Sequence, residues 1–275
     1  MTVATRPLTI RVGCEFRHSV AAPVPAIFVV RPAAELDRRF VEESWTTVPA
    51  CPYHDYTDVY GNVCRRVTLL PGDSIVTYDA SIVMDDRLDP IEPDAVQLLV
   101  EDLPDDVLHY LLPSRYCLSD QVTDRAWQLF GATPPGWARV QAICDYVNGH
   151  VNFGYGSSTP ATTSSDVLAA AAGVCRDFAH LAIAFTRAMN IPARYAFGYL
   201  PDIDVPPPHT TMDFCAWFEV FLNDRWWTFD PRNNQRRRGR IVIARGRDAL
   251  DVAMVTTYGN VTFEGMTVVA EQTSI

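Results

Sequence analysis

Three side chains in this 275-residue sequence have the types and spacing for thiol chemistry: Cys175, Cys215 and Asp230. Cys175 follows Ala172-Gly173-Val174 and opens a run with helical periodicity. A thiol at the start of a helix faces unpaired backbone N–H groups and the positive end of the helix dipole. Both favour thiolate, the nucleophilic form. The competing reading is a buried structural cysteine that behaves as a small hydrophobe. Two features weigh against it. Gly173 permits close backbone approach, and Arg176 and Asp177 are costly to bury unless paired.

Cys215 and Asp230 belong to a predicted hairpin. Residues 214–222 and 226–229 read as strands around Asn223-Asp224-Arg225. With an even-numbered loop, Trp217 falls opposite Asp230 and Cys215 opposite Arg232. Cross-strand partners share a face, so Cys215 and Asp230 become diagonal neighbours with Cα atoms ~7–8 Å apart. A three-residue loop would put them on opposite faces.

The elements that must hold these residues in register divide the chain in two. Residues 1–110 read as strand-rich. Thr9–Phe16 and Arg66–Leu69 alternate with period two, Ala26–Val30 is a short buried strand, and prolines punctuate the segment. His18 and His54 read as surface or loop residues. Asp85–Asp94 reads as a solvated acidic linker, which places a boundary ahead of Leu112-Pro113 and a second domain over 111–275. There the period becomes 3.6. Helices are predicted over 123–130, 137–147, 164–172, and from 174 or 175 to about 190. The last has an apolar stripe of Phe178, Leu181, Ala182, Phe185 and Met189. Strands follow over 193–200, 214–222, 226–229, 240–244, 252–257 and 266–270. Seven arginines between Arg232 and Arg247 lack interleaved stacking aromatics, so they read as a solvated turn with ion pairs.

Composition excludes several functions. The formal charge of −10 argues against nucleic-acid partners and anionic membranes. No apolar run approaches the ~20 residues of a membrane helix, and residues 1–13 lack the order of a signal peptide. All 23 cations are arginine, which excludes a Schiff-base lysine and a P-loop. Seven cysteines without CxxC or zinc-finger spacing read as reduced thiols in a cytoplasmic protein. No metal or organic cofactor is indicated.

Gly156-Ser157-Ser158, Asp166-Val167-Leu168, Ala172 to Leu181, Ile191 to Tyr195, Gly198-Tyr199, Ala216 to Val220 and Trp227 to Pro231 together resemble bacterial transglutaminase-like proteins, within the papain-like thiol-enzyme superfamily. The resemblance covers about residues 115–270, and the first part is similar to the β-rich domain that often accompanies this core. It implies an α+β fold: a papain/transglutaminase-like core, with the cysteine helix packed on an antiparallel sheet, beside an N-terminal β-sandwich-like domain. It also implies a nucleophilic Cys, a His on one strand and an Asp on the next. Carried onto this sequence, Cys175 takes the nucleophile position and Asp230 the acid position. The His position, immediately before Ala216-Trp217, is Cys215. A cysteine is shorter than histidine, offers one weak donor–acceptor atom, and cannot supply an imidazolium.

Two other histidines come into question. His209 follows Pro206-Pro207-Pro208 in a loop and reads as exposed, although a loop folded over the site would bring it into the cleft. His180 lies five residues after Cys175 and reads as an organiser of core polar groups. Tyr155, Tyr199, Trp217 and His209 are the candidate substrate-binding residues. The leading function is acyl transfer or hydrolysis of an amide, ester or other small carbonyl in a small-molecule or peptide substrate, through Cys175-Cys215-Asp230. The alternatives are cofactor-independent two-thiol proton transfer (an isomerase, epimerase or lyase) and an inactive binding relative, with a Cys175–Cys215 disulfide as a variant.

Overall fold

The alternation in Thr9–Phe16 extends over a 14-residue strand, β1 (Pro7–Val20), in a computed structural model that describes residues 7–206 and 211–273. Leu8, Ile10, Val12 and Phe16 face inward, while Arg11 turns outward to Asp79. His18 shares the inward parity and is buried beside Phe16, with ring centroids 6.2 Å apart. This corrects its reading as a surface or loop residue. His54 is exposed, though on a strand.

With β2 (Val24–Phe28), β3 (Phe40–Val48), β4 (Tyr53–Thr57), β5 (Val63–Leu69) and β6 (Gly72–Asp85), the first part forms most of two four-stranded antiparallel sheets. The orders are β14-β1-β6-β3 and β13-β2-β5-β4, where β13 is Val255–Thr257 and β14 is Val261–Thr273. Phe16 meets Phe28 edge-on at 5.7 Å between the two sheets. A boundary at 110/111 assigns β13 and β14 to the second unit, yet both are hydrogen-bonded into the first. β14 pairs along β1 from Thr9 to Val20, which leaves that long apolar strand without a free edge.

The helices form where the 3.6-residue period indicates them: α1 (Thr123–Phe130), α2 (Trp137–His150), α3 (Ser164–Ala170) and α4 (Cys175–Ala188). The sequence shows one apolar stripe on α4, but every residue from Asp177 to Ala188 is buried. The helix is enclosed by the other helices and by a sheet ordered β11-β10-β9-β12. Those strands are β9 (Ala193–Tyr199), β10 (Cys215–Leu222), β11 (Arg225–Phe229) and β12 (Ile241–Gly246). Arg187 tolerates burial because its guanidinium donates to the carbonyls of Leu112, Ala193 and Arg247.

β10 and β11 join through Asn223-Asp224, with Asn223 at φ +55°. Asparagine suits that left-handed turn position. Phe218 stands opposite Phe229, and Leu222 opposite Arg225. The loop is therefore even-numbered, and Asp230 leaves the ladder on the parity of Trp217 and Cys215. Among the described residues, no helix is long and apolar enough to cross a membrane.

Candidate active site

Cys175 begins α4, and its neighbours explain why the turn is rigid. The Asp177 carboxylate accepts the Val174 N–H at 2.8 Å. Arg176 pairs with Asp177 at 2.8 Å and donates to the Thr159 carbonyl at 2.8 Å, which fixes the preceding loop. The two charges that are costly to bury thus compensate each other. Gly173 is required by packing, since an added Cβ would lie 2.7 Å from the Asp177 Cβ. The Cys175 Sγ sits 3.8 Å from the Phe214 carbonyl oxygen. Phe214 stacks on Phe16 of β1 at 6.4 Å, so the N-terminal sheet supports the segment that leads into Cys215.

The two thiols differ in protonation. Cys175 is held below its ordinary pKa, chiefly because the Cys215 S–H donates to it. The Ala216 N–H and the Arg232 charge act in the same direction, against burial and the charge of Asp213. Cys215 is pushed well above the thiol range by donation to Cys175, then by burial and by the nearby Asp230 carboxylate. The proton is therefore held more tightly at 215 than at 175. All seven cysteines are free thiols.

Asp230 stands behind Cys215. Its carboxylate accepts the Asn233 N–H (3.0 Å), the Asn233 Nδ2 (2.8 Å) and the Arg240 Nη2 (3.1 Å). It acts on Cys215 through its charge. Arg240 is itself shared with Asp89 at 3.1 Å and lies over the Trp217 ring, 4.5 Å from its centroid. Asp89 also accepts from the Arg237 N–H. Arg237 in turn donates to the Pro201 carbonyl and to Asp202. These contacts correct two expectations. Residues 85–94 are largely exposed but not free, since Asp86 and Asp89 are tied to Arg238 and Arg240. The arginines of 232–247 form the expected ion pairs, but with Arg237 and the Arg240 side chain buried rather than solvated. The acids of one stretch compensate the buried cations of the other.

Two clefts meet at the thiols. One, of about 210 Å³, is lined by Phe153, Tyr155, Met212, Asp213 and Arg232 together with Cys175 and Cys215. The other, of about 570 Å³, runs past Tyr116, Arg176, Tyr195, Leu250 and Met254. The structure thus brings together Cys175, Cys215 and Tyr155, with Asp230 one layer behind.

Tyr199 and Trp217 do not line either cleft, and both are fully buried. Tyr199 points to the opposite face of β9 from Gly198, the partner of Cys215, and donates to the Val30 carbonyl at 3.0 Å. Trp217 shares the face of Cys215 but lies one pair deeper, covered by Ala196, Leu200 and Arg240. His209 lies outside the described residues. His180 is buried and neutral, its pKa lowered to about 3, chiefly by burial and then by Arg176. Its Nε2 accepts the Ala249 N–H at 3.1 Å, so it organises the core as read and does not serve Cys175.

Sequence reasoning missed Phe153, Arg232 and Arg240. Only Arg232 carried a signal, its register position opposite Cys215. Among the described residues, no group of three or more His, Cys, Asp or Glu side chains is arranged to hold a metal.

Comparison with known proteins agrees with this fold. Residues 124–231 match the transglutaminase-like superfamily. A crystal structure of a candidate cysteine protease from Cytophaga hutchinsonii superposes with a TM-score of 0.85 at 29% identity, covering 98% of this chain and 92% of that one. An uncharacterized protein of Mycobacterium leprae is 27% identical over 216 residues, 75% of this chain and 76% of that protein. One of Mycobacterium bovis is 42% identical over 107 residues, 35% of this chain and 34% of that protein. Residues 124–231 form a transglutaminase-like core, in an α+β fold with a β-rich N-terminal region.

Proposed function

From this transglutaminase-like core we propose a cysteine-dependent enzyme that transfers or hydrolyses acyl groups, with Cys175 as nucleophile. The observation that carries the reading is geometric: a cysteine at the start of a helix, beside Cys215 and at the junction of two clefts, with its pKa lowered by Cys215 and the Ala216 N–H. Cys215 stands where the family carries its histidine and takes over the proton.

In the first step the Cys175 thiolate attacks the acyl carbon. The C–S bond forms as the bond to the leaving group breaks, and the Cys215 S–H supplies the proton to the departing oxygen or nitrogen. Acylation removes the Cys175 sulfur as an acceptor for the Cys215 S–H, and that hydrogen bond is the largest influence raising the Cys215 pKa. Cys215 thus becomes a better acid when its proton is needed. In the second step water, or an amine, attacks the thioester and gives its proton back to Cys215, and Cys175 leaves as thiolate. Asp230 and Arg240 fix the charge behind Cys215. Without an imidazole, amides lose much of the ~10²–10⁴-fold assistance of a tuned base, so activated esters and thioesters are the better substrates. Both thiols must remain reduced, which fits a reducing compartment.

The test is a burst experiment with p-nitrophenyl acetate followed by intact mass. We expect a +42 Da acyl adduct (the added acetyl group, from its elemental mass) on Cys175, absent in Cys175→Ala. Release of nitrophenol with no adduct on Cys175 overturns the reading. The same asymmetric pair also suits two-thiol proton transfer, in which thiolate and thiol act on one carbon as base and acid. That reading predicts solvent deuterium at a substrate carbon with no acyl adduct.

A further inference from the structure

Arg232 stands apart from the arginines around it. Arg176, Arg237 and Arg240 all meet carboxylates, whereas no carboxylate among the described residues lies within ion-pair distance of Arg232. Its position is nevertheless fixed from both ends. Asn148 of α2 donates to the carbonyls of Pro231 (3.0 Å) and Arg232 (2.8 Å). The guanidinium lies 4.2 Å from the centroid of the Phe153 ring, an arrangement in which the ring face attracts the cation without neutralising it. Phe153 pairs with Gly173, two residues before Cys175, in a short parallel bridge. The anchor of the cation and the turn that carries the nucleophile are therefore one unit.

The other charges of this cleft are accounted for. Arg237 is matched by Asp202 at 3.3 Å. Asp213 accepts the Phe214 N–H and feels the Arg232 charge beyond ion-pair distance, yet burial outweighs both and raises its pKa above the ordinary carboxylate value. At about 210 Å³ the cleft is smaller than the ~300–1,000 Å³ of a drug-sized site, and its walls include Leu200, Met212 and Phe214. A short apolar chain with one anionic end fits that outline. In a chain of formal charge −10, a pre-positioned cation beside the nucleophile with no carboxylate within ion-pair distance is a recognition element.

We propose that Arg232 binds a carboxylate of the substrate, and that the acyl compounds handled at Cys175 are small monoesters, thioesters or amides of dicarboxylic acids. The substrate class rests on the acyl-transfer reading; the carboxylate site does not.

Two matched reagents separate the two claims. Iodoacetate and iodoacetamide both alkylate a thiolate with loss of iodide and differ chiefly in the carboxylate. Their rate ratio at Cys175, read by peptide mass spectrometry, cancels any change in thiolate content. We expect a ratio above that of glutathione in the same buffer, and a fall of about tenfold or more in Arg232→Gln, as expected for loss of a charged hydrogen bond. Succinate should also slow iodoacetamide alkylation of the unmodified protein, a readout that needs no variant. A ratio unchanged in Arg232→Gln, or equal slowing with both reagents, overturns the carboxylate site. In the second arm, p-nitrophenyl hemisuccinate should exceed p-nitrophenyl butyrate in kcat/KM, and Arg232→Gln should collapse that preference. If neither ester acylates Cys175 while the alkylation ratio behaves as expected, the carboxylate site stands and the acyl-transfer reading falls.

Discussion

Arg240 and Asp230 form an almost fully buried ion pair, Nη2 to Oδ2 at 3.1 Å, with side chains 5% and 3% exposed. The acid that the family resemblance places behind a histidine is here engaged by a cation and an asparagine, and that cation reaches on to Asp89. The site is therefore braced by the segment between the strand-rich part and the helices.

Removing the brace should be costly. Arg240→Leu leaves Asp230 and Asp89 with an uncompensated buried charge, for which ~3–5 kcal/mol is typical. Urea denaturation should show a loss of that order, and Asp89→Asn a smaller one because Asp230 keeps its partner. A loss below about 1 kcal/mol in Arg240→Leu would mean that water already solvates the pair.

The lowered pKa of Cys175 depends first on the Cys215 S–H. In Cys215→Ala the alkylation profile of Cys175 by iodoacetamide should move to higher pH, with slower labelling at neutral pH. A profile that stays in place would show that the helix start and Ala216 suffice.

Restoring an imidazole should help acyl chemistry. Cys215→His places a base with the reach the thiol lacks, and a fully oriented one is worth ~10²–10⁴-fold. Because Arg240 and Asn233 already engage Asp230, the expected gain in esterase kcat is toward the lower end. A variant that folds but gains nothing would show that the ring cannot enter the space beside Cys175.

His180 makes the fold acid-sensitive in a definite window. Its folded pKa is about 3, against ~6.5 in an unfolded chain. The folded state excludes a proton that the unfolded chain takes up. Its contribution is complete above about pH 6.5 and declines as the pH falls toward 3, at up to ~1.4 kcal/mol per unit. Stability measured between pH 7 and 5 should fall less steeply in His180→Gln. Equal slopes would assign the acid sensitivity to other groups.

Local chemistry was legible along the chain. The period-two and 3.6-residue patterns located β1, α1, α2, α4 and the β10–β11 hairpin, because a buried face imposes its spacing on the sequence. The helix start at Cys175 and the even register behind Cys215 and Asp230 follow from the same local rules. What the local pattern did not carry was compensation at a distance. Arg240 and Asp89, 151 residues apart, each look solvated in sequence because each is charged, and only their meeting makes burial tolerable. Tyr199 and Trp217 look like cleft residues by type, yet strand parity and sheet depth send them into the core. Arg232 looks like one cation among seven; the fold gives the others their partners and leaves this one on an aromatic ring beside the nucleophile. Spacing along the chain set which residues could react, and pairing across the fold decided which charges remain available to a substrate.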